Sequence, residues 1–278
     1  MWIYFLILFG LIYGILAPIL GIGGGFFFVP TLNVLFFLDI HIAITTSMFV
    51  ILFTSISGTI KYYFTGRINK EIIKIGLILS VTTISGGILG SVFKEFISSL
   101  VLTIIFAICL ACVGIYMIAH SIKEKKNGQN EETTVIKENP SNKLIFSGSF
   151  LDKEKNDVKY SLNLPLVLPL TFFAGILSGL LGIGGGLINV PTLNIICGLP
   201  IHFAVAASTF MIVIVAISNN LTNLFISSFD ILLGVLLAIG AIIGAQIGPK
   251  IVEKISPRNL TLIFGIFTVI FSIYYLFK

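Results

Sequence analysis

Long runs of apolar residues, separated by short polar stretches, dominate the pattern of this chain. A helix needs about 20 predominantly apolar residues to cross the hydrocarbon core of a bilayer, and it satisfies its own backbone hydrogen bonds there. The runs lack the alternation, over about ten residues per strand, that outer-membrane barrels show. The pattern therefore predicts an all-α polytopic membrane protein with apolar spans at residues 2–20, 42–60, 72–93, 96–119, 164–181, 203–229, 231–249 and 260–277.

Two nearly identical glycine-rich stretches interrupt the apolar pattern. GIGGGFFFVPTLN occupies residues 21–33 and GIGGGLINVPTLN occupies residues 182–194, and the two agree at 10 of 13 positions. The similarity continues at the same offset of 161 residues and, after a net loss of three residues, at an offset of 158. The pairs include His41 with His202, Ser47 with Ser208, Ser57 with Ser218, Gly86 with Gly244, Gly90 with Gly248 and Glu95 with Glu253. The chain is therefore a tandem duplication.

The duplication divides the chain into three parts. The first membrane repeat, copy one, covers residues 1–120, and the second, copy two, covers residues 164–278. Each copy is predicted to be a broken glycine-rich helix or hairpin followed by three long transmembrane helices. The linker at residues 121–163 carries eight lysines and seven acidic residues, which makes it aqueous. Its later part alternates polar with apolar residues around the charged turn Asp152–Asp157, a pattern that predicts a β-hairpin.

The distribution of lysine and arginine predicts that the two copies are inverted across the membrane, because basic loops favour the cytoplasmic side. In copy one the loop after the first long span is basic and the next loop has only Lys94, whereas in copy two the loop around Asp230 has no basic residue and the following loop is basic. We therefore expect a cytoplasmic linker and outward-facing termini. The basic loops contain Lys61, Arg67, Lys70 and Lys74 in copy one, and Lys250, Lys254 and Arg258 in copy two. Inversion requires an odd number of membrane crossings per copy. This holds both for a re-entrant glycine-rich unit and for one that crosses the membrane twice, so it does not distinguish them.

Composition and charge agree with a membrane protein and exclude several other classes. Hydrophobic residues make up 56% of the chain and charged residues 10%, against about 25% charged residues in soluble proteins. The net charge of +5 lies mostly in loops at the ends of spans, so it orients the chain and does not indicate nucleic-acid binding. The first run has no basic region or small-residue cleavage site of a signal peptide, so we expect it to remain as a span. The three cysteines lack metal-ligand spacing and indicate neither disulfides nor a metal site. No cofactor is predicted. The sequence leaves open whether the protein forms a homo-oligomer.

The glycines and the nearby proline in each repeated stretch predict a broken membrane helix. Gly permits unusual backbone angles and Pro removes a hydrogen-bond donor. A helix break at membrane depth is tolerated only where the backbone is buried in protein or faces a cavity, and paired breaks in inverted repeats point to a transporter's substrate site. A glycine-rich turn at a helix N-terminus presents N–H groups that suit an anion. The alternative, close helix packing, is favoured for the isolated pairs Gly86–Gly90 and Gly244–Gly248.

At this doubled motif the chain resembles the TauE/SafE family of sulfite exporters, also called the toluene-sulfonate uptake permease family. The resemblance covers both copies and implies a secondary transporter for sulfur-containing anions such as sulfite, sulfoacetate or related organosulfonates. It carries the family motif onto Gly21, Gly23, Gly24, Gly25 and Pro30 in copy one and onto Gly182, Gly184, Gly185, Gly186 and Pro191 in copy two.

Polar residues near the glycine-rich stretches complete the predicted site. No Asp, Glu, Lys or Arg lies deep in any predicted span, so dipoles and hydroxyls are expected to meet the charge of an anion. Such residues also serve simply to bond helices together, so each has a structural alternative. The candidate substrate-binding residues are Gly23, Gly24, Gly25, Asn33, Ser47, Gly184, Gly185, Gly186, Asn194, Ser208 and Asn219.

Two histidines are candidates for proton coupling, because His titrates near neutral pH. His41 and His202 both lie where a span begins, so anchoring at the membrane interface is the favoured alternative. A sodium site built from carbonyl groups, or transport without a coupling ion, also stays open. An intramembrane protease is excluded, since the sequence lacks its serine, metal-binding and aspartate motifs. An anion channel is the competing class, because inverted repeats with broken helices also build pores.

Overall fold

The computed structural model describes residues 2–127, 145–151, 157–252, 262, 265–266 and 269–275. Its copy-one helices are α1 (Trp2–Leu20), α2 (Gly25–Pro30), α3 (Ile40–Phe64), α4 (Lys70–Phe96) and α5 (Ser99–Asn127). Two strands follow, β1 (Ile145–Leu151) and β2 (Asp157–Asn163). The copy-two helices are α6 (Leu164–Leu181), α7 (Gly186–Pro191), α8 (Ile201–Ile226) and α9 (Ile231–Val252). The short helices α2 and α7 each continue into a π-helical turn, at Thr31–Leu35 and Thr192–Ile196.

Six of the described helices are long and apolar enough to cross a membrane: α3, α4, the segment Ser99–Ala119 of α5, α6, α8 and α9. This confirms the predicted all-α polytopic membrane fold. The predicted span 260–277 lies largely outside the described residues. The helices α2 and α7 with their π-helical turns, Gly25–Leu35 and Gly186–Ile196, are much shorter. At about 1.5 Å per residue, each of these helices reaches only partway across the hydrocarbon core.

The long helices of copy one pack on the equivalent helices of copy two in a reciprocal way. α1 lies along α9, and α6 lies along α4; α3 also contacts α9, and α8 contacts α4. The central helices α3 and α8 contact each other and run antiparallel, because Met48 accepts a hydrogen bond from Asn220 while Gly58 faces Thr209. The core of the protein thus lies between the two copies.

Glycines allow the paired helices to approach at backbone distance. A Cβ atom added at Gly86 or Gly90 would collide with carbonyl oxygens of α6, and one added at Gly244 or Gly248 would collide with carbonyl oxygens of α1. These contacts confirm the packing role predicted for both glycine pairs. Replacing one of them forces backbone atoms apart, a change that packed interiors tolerate poorly.

The linker strands form the hairpin that the alternating pattern predicts, and the hairpin contacts both copies. β1 and β2 are antiparallel, with Ile145 opposite Asn163 and Leu151 opposite Asp157. The N–H of Ser161 donates to the carbonyl of Cys197 at 3.0 Å. The hydroxyl of Tyr160 donates to the carboxylate of Glu71 at 2.7 Å, and burial together with this hydrogen bond raises the pKa of Tyr160 to about 12.

Candidate functional site

The two glycine-rich tips, residues 21–25 and 182–186, are in direct contact in the core. A Cβ atom added at Gly25 would collide with the carbonyl oxygen of Gly182, and one added at Gly186 would collide with that of Gly21. Both tips are fully buried. The contact is reciprocal, so the structure brings together the two stretches that the sequence analysis singled out.

The backbone at each tip adopts a left-handed conformation that strongly favours glycine. The φ angles are 64°, 86° and 87° at Gly21, Gly23 and Gly24. In copy two they are 67°, 83° and 75° at the equivalent residues Gly182, Gly184 and Gly185. A side chain in this left-handed region costs roughly 1–2 kcal/mol per residue. The repeated glycines are therefore required by the turn that reverses the chain between α1 and α2, and between α6 and α7.

The tips carry buried backbone N–H groups without acceptors. Within the described part of the chain, no hydrogen bond is formed by the N–H groups of Gly23–Gly25 or of Gly184–Gly186. The carbonyls of Gly24 and Gly185, by contrast, accept from the following turn of α2 and α7. Buried N–H groups are almost always paired in native proteins, so two clusters of unpaired donors are a feature that calls for a ligand or water.

Ser47 and Ser208 lie at the tips, as predicted, but each hydroxyl is engaged with the opposite copy. Ser47 donates to the carbonyl of Gly182 at 3.1 Å, and Ser208 donates to the carbonyl of Gly21 at 2.8 Å. These bonds satisfy two of the tip carbonyls, those of Gly182 and Gly21. In this conformation the two serines therefore stabilise the contact between the tips.

Two equivalent isoleucines cover the tips. The position of a Cβ atom at Gly23 lies 3.3 Å from Cγ2 of Ile212 and 3.4 Å from Cγ2 of Ile51. The corresponding distances at Gly184 are 3.4 Å and 3.5 Å, and the carbonyl oxygen of Ile22 lies nearer, at 3.2 Å. The N–H donors therefore stand in apolar surroundings, where a hydrogen bond to an anion is electrostatically stronger than in water.

The structure does not bring Asn33 and Asn194 to the tips. Their side-chain N–H groups donate to the carbonyls of Leu38 at 2.7 Å and Leu199 at 2.8 Å, where the chain turns back after each π-helical segment. Asn33 follows Gly25 by eight residues, which corresponds to a helical rise of about 12 Å. The conserved position of the two amides in the duplication reflects this local turn.

Among the described residues, Asn219 is linked to the copy-two tip only through Ser178, whose carbonyl accepts from the N–H of Gly182, and the histidines lie elsewhere in the bundle. The amide of Asn219 donates to Ser178 at 3.3 Å, and its Oδ1 is buried against Gly87 without a hydrogen-bond partner. Asn219 is thus located between α8, α6 and α4. His41 and His202 occupy the first turns of α3 and α8, and His202 is exposed.

Lys94, which the sequence analysis assigned to the loop after the predicted span 72–93, lies instead in the last turn of α4 and is buried. Its side chain has no exposed surface, and α4 continues beyond it to Phe96. The predicted span ended at residue 93 because a charged residue lowers the hydropathy there. The helix nevertheless continues, because helical hydrogen bonds pair its backbone N–H and C=O groups. The ammonium is held by side chains from α3 and from the loop after α8, which a sequence pattern does not bring together.

Asn189 is a second buried polar residue that the sequence analysis did not select. It lies in α7, is fully buried, and neither side-chain atom has a partner. Its N–H donates to the carbonyl of Gly185 at 3.2 Å, so it lies one turn from the copy-two tip. The duplication contained the necessary clue, because Asn189 is one of only three mismatches in the motif and replaces Phe28.

The fold and the two opposed helix breaks define a multi-pass helical protein of the cell membrane. The family model for the sulfite exporter TauE/SafE matches residues 6–275, so the chain belongs to the TauE/SafE sulfite exporter family.

Several membrane proteins resemble this chain over most of its length. The probable membrane transporter protein YunE of Bacillus subtilis is 28% identical over 226 residues, which cover 79% of this chain and 77% of the relative. The probable membrane transporter protein MJ0441 of Methanocaldococcus jannaschii is 30% identical over 218 residues, covering 76% and 68%. A probable membrane transporter protein of Haemophilus influenzae is 24% identical over 222 residues, covering 78% and 70%. No solved structure matches this chain significantly.

Proposed function

We propose that this protein is a secondary transporter that exports sulfur-containing anions such as sulfite or organosulfonates. The observation that carries the proposal is the pair of contacting tips, each with unpaired backbone N–H groups buried in apolar surroundings. Membership of the sulfite exporter family supports the substrate class. The anion would bind between the tips, held by N–H groups of Gly23–Gly25 and Gly184–Gly186.

Electrostatics favour an anion over a cation or a neutral solute at this position. The tips present the N–H donors of Gly23–Gly25 and Gly184–Gly186, and two of their carbonyls, at Gly21 and Gly182, are occupied by Ser208 and Ser47. Aligned peptide dipoles add a partial positive charge, about half an elementary charge for a long helix and less for these short ones. Two tips pointing at one ligand would therefore stabilise a monoanion without a charged side chain in contact with it.

The arrangement of helices supports alternating access between two inverted repeats. Each of the pairs α1–α9 and α4–α6 contains one helix from each copy and is packed through glycines. The antiparallel helices α3 and α8 lie between these two pairs and run past the tips. We infer that one pair of helices, together with its tip, rocks against the other pair. This motion would displace the covering residues Ile51 and Ile212 and expose the site to each side of the membrane in turn.

The alternative is an anion channel, or a carrier for a different small organic anion. A channel needs a continuous water-filled path, whereas the tips here are buried and in contact. A carrier passes through such a closed state in every cycle. We therefore favour a carrier and, since the relatives are named as membrane transporters, a protein without enzymatic activity.

A binding screen on purified protein tests the substrate class. Sulfite, thiosulfate, sulfoacetate, acetate and succinate would each be added at equal ionic strength, with chloride as the control, and thermal unfolding would be followed. A ligand at 100 times its Kd stabilises a folded protein by about 2.7 kcal/mol. We expect stabilisation by at least one of the sulfur-containing anions. Stabilisation by the carboxylates alone would favour the carrier for another organic anion.

A further inference from the structure

We propose that Lys94, Thr45, Ser91 and Asn223 form a second anion-binding station across α3 from the copy-two tip, where the carboxylate of Glu95 holds the ammonium until the transported anion displaces it. This inference rests on the proposed function, since it assigns a further residue set to the same transported anion. The station lies at the end of the bundle that carries the loops 97–98 and 227–230.

The contacts of Lys94 already engage its three N–H donors, so another ligand would have to replace one of them. Its Nζ donates to Oγ1 of Thr45 at 2.8 Å and to Oγ of Ser227 at 3.1 Å, but it lies 3.4 Å from Oδ1 of Asn223 and 3.3 Å from the Glu95 carboxylate. The last two distances are long for charge-assisted hydrogen bonds. A fully buried ammonium is thus surrounded mainly by neutral oxygens.

Two buried donors beside Lys94 have no acceptor. Nδ2 of Asn223 and Oγ of Ser91 are both unpartnered, and both side chains are at least 99% buried. Ser91 precedes Lys94 by three residues and therefore lies on the same face of α4. An unpaired buried donor is unfavourable, and an oxyanion bound at the ammonium would accept from both. This observation is independent of the charge and points to the same ligand.

The duplication shows that the fold itself does not require this cluster. The positions equivalent to Thr45, Lys94 and Asn223 are Ala206, Val252 and Tyr62. Tyr62 fills its position in copy one and donates to the carbonyl of Pro18 at 2.6 Å. The shorter Asn223 makes no equivalent bond among the described residues and faces Lys94 instead. The polar cluster, which combines side chains from both copies, is therefore present at only one of the two equivalent positions in the duplication.

Glu95 has the chemistry of a displaceable ligand. Its carboxylate is 32% exposed, while Lys94 is not exposed at all, and Ser227 contacts both side chains. A carboxylate and a sulfite or sulfonate group present similar oxygen acceptors to an ammonium. Glu95 and Ser227 thus cover Lys94 from one side, and an incoming anion would take the place of the carboxylate.

The station lies at nearly the same depth as the copy-two tip. Thr45, which accepts from Lys94, precedes Ser47 by two residues on α3, a rise of about 3 Å. Ser47 itself donates to Gly182 in the tip. Two residues correspond to a rotation of about 200° around the helix, so the station and the tip lie on different faces of α3 at nearly the same depth.

Substitutions at the Lys94–Glu95 pair separate a binding role from a structural ion pair. The variants are Lys94→Met, Lys94→Arg, Glu95→Gln and the uncharged double variant Lys94→Met with Glu95→Gln. Lys74→Met removes an exposed lysine at the other end of α4 and is the matched control. The readouts are thermal unfolding of each purified protein and its affinity for sulfite, thiosulfate, sulfoacetate, acetate and succinate.

We expect Lys94→Met to weaken anion binding at least tenfold, and Lys94→Arg and Lys74→Met to change it less than threefold. Glu95→Gln should tighten binding, because the competing carboxylate is gone. The double variant should recover thermal stability relative to Lys94→Met without recovering binding.

If the double variant or Lys94→Met binds the anion as the wild type does, the station is wrong although the proposed function stands. Weaker binding by folded Glu95→Gln would overturn the displacement step. If the wild type binds only a carboxylate, the substrate class fails and the same variants still test the station with that ligand. Binding of no anion would overturn both proposals.

Discussion

A methyl group at the centre of each tip should block transport while leaving the protein folded. Gly23→Ala and Gly184→Ala place a Cβ atom beside the unpaired N–H donors. At Gly23 that atom would meet only the flexible ends of Ile212 and Ile51, at 3.3 Å and 3.4 Å. At Gly184 it would lie 3.2 Å from the carbonyl oxygen of Ile22, so Gly23→Ala is the less disruptive of the two. These variants are sharper probes than Gly24→Ala, whose Cβ would lie 2.9 Å from Ala17, and Gly185→Ala, whose Cβ would lie 2.9 Å from the carbonyl of Ala174.

The cost to folding can be matched with a variant remote from the tips. Gly198 has φ 71° and no atom within 4 Å of an added Cβ, and its equivalent in copy one is Phe37 with φ 56°. Gly198→Ala therefore carries the same conformational cost as Gly23→Ala, roughly 1–2 kcal/mol, without touching the tips. The three variants should have similar unfolding temperatures.

The cost to transport should differ sharply among the same three variants. A methyl group that keeps an anion from the N–H donors removes charge-assisted hydrogen bonds, each contributing about 1.5–3 kcal/mol. Losing one such bond corresponds to about tenfold or more in affinity. We expect at least a tenfold loss of sulfite flux for Gly23→Ala and Gly184→Ala, and less than a twofold loss for Gly198→Ala.

The assay is flux of radiolabelled sulfite through reconstituted vesicles, normalised to the amount of folded protein. Unfolding temperature is measured on the same preparations. Should both tip variants carry sulfite as fast as Gly198→Ala does, the tips are packing elements and the proposed site between them is wrong. A loss of flux that merely follows a loss of folded protein would have the same meaning.

Three further predictions concern packing, topology and coupling. Gly86→Ala should lower yield and stability, because its Cβ collides with α6, while the surviving protein keeps its affinity for the anion, as a binding assay at matched folded protein would reveal. A cysteine at position 130, outside the described residues, should react with an impermeant maleimide only in opened cells; labelling of intact cells would contradict a cytoplasmic linker. Replacing both His41 and His202 by Gln should leave the pH profile of sulfite uptake unchanged, since we expect anchoring roles, and a flattened profile would instead assign proton coupling to them.

The long helices could be predicted closely from hydropathy, but their ends could not. The predicted span 164–181 coincides with α6 (Leu164–Leu181), whereas the span predicted at 42–60 is α3 (Ile40–Phe64). The start of α3 is set by Asp39, whose side chain accepts from the N–H of His41, and the start of α4 by Asn69, which accepts from Ile72. Such caps act through single hydrogen bonds that a hydropathy pattern does not contain.

The candidate site likewise has one part that the repeated sequence predicts and another part that it does not predict. The glycines and Ser47 with Ser208 recur in both copies, and the structure brings all of them to the tips. Lys94 and Asn189 occur in one copy only, and their burial depends on side chains from distant helices. The repeated residues therefore identify the turn that both copies share, while the differences between the copies identify the polar residues that occur in one copy only.

The most direct test of the central claim is counterflow of labelled sulfite in vesicles that contain the purified protein. Vesicles loaded with unlabelled sulfite should accumulate external label transiently above equilibrium, and the initial rate should saturate as the external concentration rises. Both results are expected if an anion is carried between the tips by alternating access. Flux that rises linearly with concentration and is indifferent to internal sulfite would contradict a carrier and favour a channel.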